Sequence, residues 1–379
     1  MLLLSISGLF FIYSAQMNST MSQWKLQIVW MLIGAVVYLV VSLVDYEVFM
    51  KSGHWLYLIT LALLAWVYFF GVEREGATRW INFGFFSFQP SEVVKISVLV
   101  IVASILARSE IGELKESLTT LGKVALVVVF PLVLILLQPD LGSALVLFPM
   151  VLGLLYVSNL SMEFFTTVLL GCVLMVGIIL WDVSRYYYFL ESNNHTTTSH
   201  LGVYEEHSYL PYIKDYQRNR ILTFLMPDKV NPKGSGWNLN QSLISVGSGG
   251  LMGKGWKKGT QAKLGYLPRS VAHNDFIFSV LAEEKGFVGS ITVIGLSGIL
   301  LLNGIRIASM ARDRFGMFLT VGVTIIFTIH GFINIGMTIG LMPITGLPLP
   351  FLSYGGSFLL SCCILQGIVQ SVYRHRKAF

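Results

Sequence analysis

A chain of 379 residues with 54% apolar and only 12% charged positions falls outside the ordinary soluble class, where roughly 25% of residues are charged. With a mean hydropathy of +0.70 it describes a polytopic membrane protein. The net charge of +6 and pI near 9.1 do not indicate nucleic acid, because much of the excess sits in short loops and the C-terminal tail.

Apolar runs approaching the ~20 residues needed to cross a bilayer centre on 2–16, 26–44, 54–71, 92–107, 121–137, 141–158, 163–181, 287–305, 315–341 and 351–373. Only helices or closed barrels satisfy their backbone in lipid, so the prediction is an all-α polytopic fold of about ten transmembrane helices. Residues 1–181 would hold helices one to seven and residues 182–286 an extracytoplasmic loop with short interfacial helices. Residues 287–379 would hold helices eight to ten and a short cytoplasmic tail. Met1 opens directly into an apolar run without a basic segment or a small-residue cleavage site, so the start reads as a span and not a removable signal, a truncated start being the other possibility. Cys172, Cys362 and Cys363 lie inside spans without metal-ligand spacing and read as small packing residues.

Orientation follows from the short loops, where Lys and Arg gather on the cytoplasmic side. With both termini inside, the inner loops and tail hold Lys51, Arg108, Lys115, Lys123, Arg306, Arg312, Arg314, Arg374, Arg376 and Lys377, against Lys25, Arg74 and Arg79 outside. The long polar segment then faces outward. Its Glu191 to Ser208 part has neither apolar periodicity nor bulk and predicts a mobile loop, in which His195, His200 and His207 are solvated rather than metal ligands. From Tyr209 onward, aromatics, Gly and apolar residues predict short helices on or dipping into the membrane. Lys214, Arg218, Arg220, Lys229, Lys233, Lys254, Lys257, Lys258, Lys263 and Arg269 outnumber the acids there, a surface suited to an anionic headgroup or a diphosphate. The cluster Gly247, Gly249, Gly250, Gly253 and Gly255 is not a P-loop: Ser248 stands where that pattern requires Gly, Gly255 where it requires Ser or Thr, and no strand precedes it. A backbone nest for phosphate and a loop packed closely on helices both remain open.

Ionisable residues within or capping spans mark a pathway or a site, and here they are Glu92, Lys95, Asp140, Asp182, Glu283 and Glu284. Glu92 and Lys95, three apart, share a helix face and either neutralise one another or bind substrate. In Gln138-Pro139-Asp140-Leu141-Gly142, Pro139 breaks one helix and Asp140 caps the next. Asp275, in His273-Asn274-Asp275-Phe276-Ile277-Phe278, lies where the chain re-enters lipid. Partial desolvation there suits a carboxylate to proton transfer, with metal ligation and helix capping as alternatives. It stands eight residues before Glu283, or ~12 Å if the chain between is helical. A retaining glycosidase pair needs carboxyls ~5 Å apart, so the spacing gives hydrolysis no support.

Motifs along nearly the whole chain resemble, in collinear order, the SEDS family, whose members include FtsW, RodA and SpoVE proteins. They are Gly76-Ala77-Thr78-Arg79-Trp80-Ile81, Gln89-Pro90-Ser91-Glu92 with Lys95, and Gln138-Pro139-Asp140-Leu141-Gly142. Gln241-Ser242 follows with Gly247-Ser248-Gly249-Gly250 and Gly253-Lys254-Gly255, then Asp275-Phe276-Ile277-Phe278 with Glu283-Glu284. The last is Asn334 through Pro343 to Pro348-Leu349-Pro350-Phe351-Leu352-Ser353-Tyr354-Gly355-Gly356-Ser357. The resemblance implies a ten-span glycosyltransferase that polymerises lipid II into peptidoglycan strands on the outer face of the bacterial cytoplasmic membrane, releasing undecaprenyl diphosphate. It also implies a class B penicillin-binding protein as transpeptidase partner, alongside other elongation-complex membrane proteins. The family's essential aspartate maps onto Asp275 and its tryptophan at the outer cavity mouth onto Trp80. The short termini and Pro348-Leu349-Pro350-Phe351 look more like the elongation branch than the division or sporulation branches.

Two departures stand out: Pro268-Arg269-Ser270-Val271-Ala272-His273-Asn274-Asp275 lacks a Glu that many members carry before the aspartate, and Phe358 follows Ser357 where a small residue is usual. With Asp275 as general base for an inverting transfer, Arg79, Lys95, Arg220 and Lys254 are the candidates to bind the departing diphosphate. A divalent cation, Mg or Mn, could share that work, though no sequence pattern specifies a site for it. Glu92 joins the substrate-binding candidates, and Trp80 supports a sugar or the lipid neck, or is an aromatic-belt residue. Ser353 belongs to the Gly- and Pro-rich stretch from Gly340 to Ser357, which either shapes the acceptor channel or is a structural hairpin. The rival functions are a lipid-linked precursor flippase, which would not need an outward-facing base, and a non-enzymatic scaffold.

Overall fold

In a computed structural model, each of the ten apolar runs contains one helix, although the last begins only at Gly356 and leaves 351–355 in the preceding loop. The structure describes residues 1–17, 23–74, 77–84, 87–110, 112–138, 140–192, 204–205, 208–210, 213–226 and 235–376. Seven helices come first: α1 (Leu2–Ala15), α2 (Gln23–Leu43), α3 (Glu47–Phe70), α4 (Pro90–Arg108), α5 (Leu114–Leu137), α6 (Leu141–Val157) and α7 (Met162–Ser192). Four short helices follow, α8 (Asp215–Leu225), α9 (Ser235–Ser248), α10 (Thr260–Leu264) and α11 (Arg269–Ala272), then α12 (Ile277–Ser309), α13 (Arg314–Thr338) and α14 (Gly356–Arg374). Of the ten apolar helices, all but α1 and α6 are long and apolar enough to cross a bilayer. The chain is a multi-pass, all-α membrane protein.

Burial sorts the helices into layers. In α4, α14 and α13, 72%, 67% and 56% of the apolar window is buried, against none in α7, so the first three form the centre and α7 faces lipid. Small residues let the backbones approach: Gly34 of α2 meets Cys363 of α14, and Gly367 of α14 meets Val41 of α2.

Sequence patterning did not reveal the element between α3 and α4. Strands β1 (Val72–Arg74), β2 (Ala77–Asn82) and β3 (Ser87–Phe88) form an antiparallel sheet with Val72 opposite Trp80 and Ile81 opposite Phe88. Thr78, Trp80 and Ile81 favour extended backbone, but strands this short leave no readable alternation.

Helical structure reaches into both ends of the polar segment 182–286, since α7 runs on to Ser192 and α12 begins at Ile277. Gly286, at φ 64° and ψ −159°, breaks α12, and a turn after α9 bridges the break. Lys254 and Gly255 N–H donate to the carbonyls of Glu283 and Glu284, while Phe287 and Val288 N–H donate to those of Gly250 and Leu251. The glycine cluster is therefore a packed loop, and Lys254 and Gly255 spend their amides on α12 rather than on a phosphate nest. The Glu191 to Ser208 loop falls largely outside the described residues, and His195, His200, His207, Lys229 and Lys233 entirely so.

Arg218, counted in the sequence among the surface cations, is fully buried. Its guanidinium donates to Asp182 at 2.7 Å, Asp215 at 3.0 Å, Ser208 Oγ at 2.6 Å and the carbonyls of Ile213 and Leu210. Two carboxylates explain why so much charge can be buried, and the network fixes α8 against α7.

Candidate active site

A cavity of about 760 Å³ opens between β2, α4, α8, the turn before α12 and the loop joining α13 to α14, within the usual size of a ligand cleft. Asp275 lies on its wall, in a turn held on three sides. Phe276 N–H donates to Val271 O at 3.1 Å, and Phe276 packs with Ala272, Leu267 and Val280 in a small core of its own. Tyr354 N–H donates to His273 O at 3.0 Å. Ser353 Oγ donates to Asn274 O at 2.7 Å and accepts from Leu349 N–H at 2.8 Å. From α13, Asn334 Nδ2 donates to the Asp275 carbonyl. Gly346, at φ +78°, faces the carboxylate: a β carbon there would sit 3.4 Å from Asp275 Oδ2.

Two guanidiniums share the cavity. Arg79, from β2, has its Nη1 3.8 Å from Asp140 Oδ1. Asp140 caps α6 through Ser143 N–H at 3.2 Å and also accepts from Gln89 Nε2, Ser91 Oγ and Ser143 Oγ, so the capping read from the sequence is present and the carboxylate also holds Arg79. Arg220, half-buried on α8, donates to Thr345 O at 3.3 Å. Burial and then the nearby charge of Arg79 lower its pKa from the ordinary arginine value, partly offset by Tyr216, Asp275 and Asp140. A pair of cations in mutual repulsion is relieved by an anion bound between them, as a diphosphate would be.

Of the residues singled out from sequence, Arg79, Trp80, Glu92, Asp140, Arg220 and Asp275 line this cavity, and Lys95, Lys254 and Ser353 do not. Lys95 stands behind Glu92, its Nζ 2.9 Å from Glu92 Oε1 and 3.2 Å from His330 Nε2. Lys254 pairs with Glu283 Oε1 at 2.6 Å, and the Thr260 N–H and hydroxyl donate to the same oxygen. Ser353 supports the Asp275 turn from behind. Among the described residues no group of three or more His, Cys, Asp or Glu side chains is gathered to hold a metal ion. His330 escaped the sequence reading although it is an ionisable residue inside an apolar run, a signal sufficient to flag it.

The family model for cell cycle proteins of the FtsW, RodA and SpoVE type matches residues 1–378. The chain is 37% identical over 345 residues to the peptidoglycan glycosyltransferase MrdB of Escherichia coli K12, covering 91% of this chain and 84% of that protein. Against the peptidoglycan glycosyltransferase RodA of Treponema pallidum the identity is 32% over 425 residues, covering 98% and 95%. Among solved structures, a chain from a peptidoglycan synthase complex that coordinates polymerization and crosslinking superposes with a TM-score of 0.78 at 27% identity, covering 98% of this chain and 95% of that one. Matched along its whole described length in sequence and in fold, the chain belongs to the FtsW, RodA and SpoVE family of cell cycle proteins.

Proposed function

We infer that this membrane protein is a peptidoglycan glycosyltransferase that polymerises lipid II during cell elongation. The reading rests on the meeting of the Asp275 carboxylate with the guanidiniums of Arg79 and Arg220 in a single cavity. Relatives named for this activity support it.

Asp275 accepts the proton of the acceptor GlcNAc 4-hydroxyl as that oxygen attacks the anomeric carbon of the donor MurNAc. The new C–O bond forms with inversion, the bond to the diphosphate breaks, and undecaprenyl diphosphate leaves with the electron pair. Arg79 and Arg220 stabilise the charge that develops on it. Trp80, at the cavity wall, supports the sugar or the lipid neck, while Ser353 and Asn334 hold the aspartate turn in place. Lys95 acts one layer back through Glu92, and Lys254 stabilises the turn that bridges the α12 break.

The excess of Lys and Arg in one set of short loops supports termini in the cytoplasm and a cavity facing outward. A class B penicillin-binding protein is the transpeptidase partner in this reading, which the likeness to a chain of a peptidoglycan synthase complex supports. The test is polymerisation of lipid II by wild-type and Asp275→Asn protein, each with a transpeptidase-inactive partner. The mutant is expected to lose at least ~10²-fold in rate while folding and binding its partner normally. Equal polymer from both would move the catalysis elsewhere.

A further inference from the structure

The cation behind the cavity has two partners, and only one is an acid. Glu92, Lys95 and His330 are 4%, 1% and 1% exposed. His330 Nε2 lies 3.2 Å from Lys95 Nζ, and Nδ1 lies 3.2 Å from the Pro348 carbonyl. A carbonyl only accepts, so Nδ1 carries the proton and Nε2 turns its lone pair toward the ammonium. One imidazole thus joins the α4 cation to the loop that forms the opposite wall. Phe358 packs over both, its ring 5.0 Å from that of His330 and 5.8 Å from Lys95 Nζ.

The consequence falls on Glu92. With Lys95 divided between Glu92 Oε1 and His330, Glu92 Oε2 is buried without a hydrogen-bond partner, on a side chain that lines the cavity. Thr345 Oγ1, on the loop wall, is in the same condition. A buried carboxylate oxygen left unpaired is costly, so it marks a place where a ligand's O–H or N–H completes the set.

We propose that His330 is a positioning residue of the site: by holding Lys95 on one oxygen of Glu92 and Pro348 on the facing loop, it presents Glu92 Oε2 to a hydroxyl or amide N–H of the sugar-peptide substrate. This rests on the reading of the cavity as the glycosyltransferase site. Glutamine can reproduce both contacts of His330, its amide donating to Pro348 O and its carbonyl accepting from Lys95, whereas leucine reproduces neither.

The full-length protein with its penicillin-binding partner is titrated with lipid II. His330→Leu is expected to raise KM about tenfold with kcat changed less than about threefold. His330→Gln returns KM to within about threefold, Glu92→Gln raises it as His330→Leu does, and the double variant His330→Leu/Glu92→Gln is no worse than Glu92→Gln alone. Losses that multiply in the double variant, a glutamine as damaging as leucine, or a fall in kcat at constant KM would overturn the proposal. If His330→Leu does not fold, the other two single variants decide: KM must hold in His330→Gln and rise in Glu92→Gln. Wild-type rates from Asp275→Asn in the same assay would remove the reading of the cavity and the proposal with it. An inactive Asp275→Asn beside unmoved His330 variants would remove the proposal alone.

Discussion

Asn334 reaches from α13 to the backbone of Asp275: its Nδ2 donates to the Asp275 carbonyl at 2.9 Å and also to the Leu347 carbonyl at 2.7 Å. One fully buried amide therefore ties the turn carrying the carboxylate to the loop that faces it. Replacing it by leucine, which keeps the volume and removes both donors, is expected to lower stability by about 1–3 kcal/mol. Thermal unfolding in detergent measures that loss, and lipid II polymerisation should fall by about tenfold as the two walls drift apart.

Arg220 is half-buried and repelled by Arg79, so its charge is expected to matter most when the diphosphate departs. Arg220→Gln should reduce kcat by about 10²-fold, and Arg220→Lys should retain part of that loss because it keeps the charge and gives up the fork of donors. An unchanged kcat in the glutamine variant would assign the leaving group to other residues.

The Arg218 network supports α8, and with it Arg220, from below. Arg218→Met leaves the buried carboxylates of Asp182 and Asp215 without their cation and is expected to destabilise this region by about 3–5 kcal/mol. Limited proteolysis should cut near α8 before global unfolding, and adding Asp182→Asn should recover part of the loss.

Two glycines separate backbone requirement from mere smallness. Gly253 has φ +78°, and a β carbon there would collide with the Glu284 carbonyl. Gly253→Ala is expected to cost about 2 kcal/mol or more. Gly171, inside α7, has nothing within 4 Å of the same position, so Gly171→Ala should be neutral or stabilise by up to about 1 kcal/mol. Melting temperatures of the two variants make the comparison.

The membrane fold was legible because apolar runs are long and lipid demands helices, and the ten runs emerge as α1 to α7 and α12 to α14. The cap at Asp140 was legible from the Pro-Asp junction, and the Glu92–Lys95 pair from its spacing. What the sequence could not reveal depends on distant parts of the chain meeting. Arg218 looked like a surface cation until Asp182, from another helix, closed on it at 2.7 Å. Lys254 looked like a phosphate ligand, yet the turn after α9 carries it to Glu283 of α12. Hydropathy likewise averages through a left-handed residue, so the bend at Gly286 left no trace in the pattern.

That bend is bridged rather than loose. Four backbone hydrogen bonds from the 250–255 turn span it, two on each side of Gly286, replacing bonds that a broken helix would otherwise lose. A splinted elbow transmits motion instead of absorbing it. If a thinner or thicker bilayer tilts the long arm beyond Gly286, the short arm that begins at Ile277 and the turn at Asp275 are expected to move with it, so lipid II polymerisation measured in vesicles should vary with acyl-chain length.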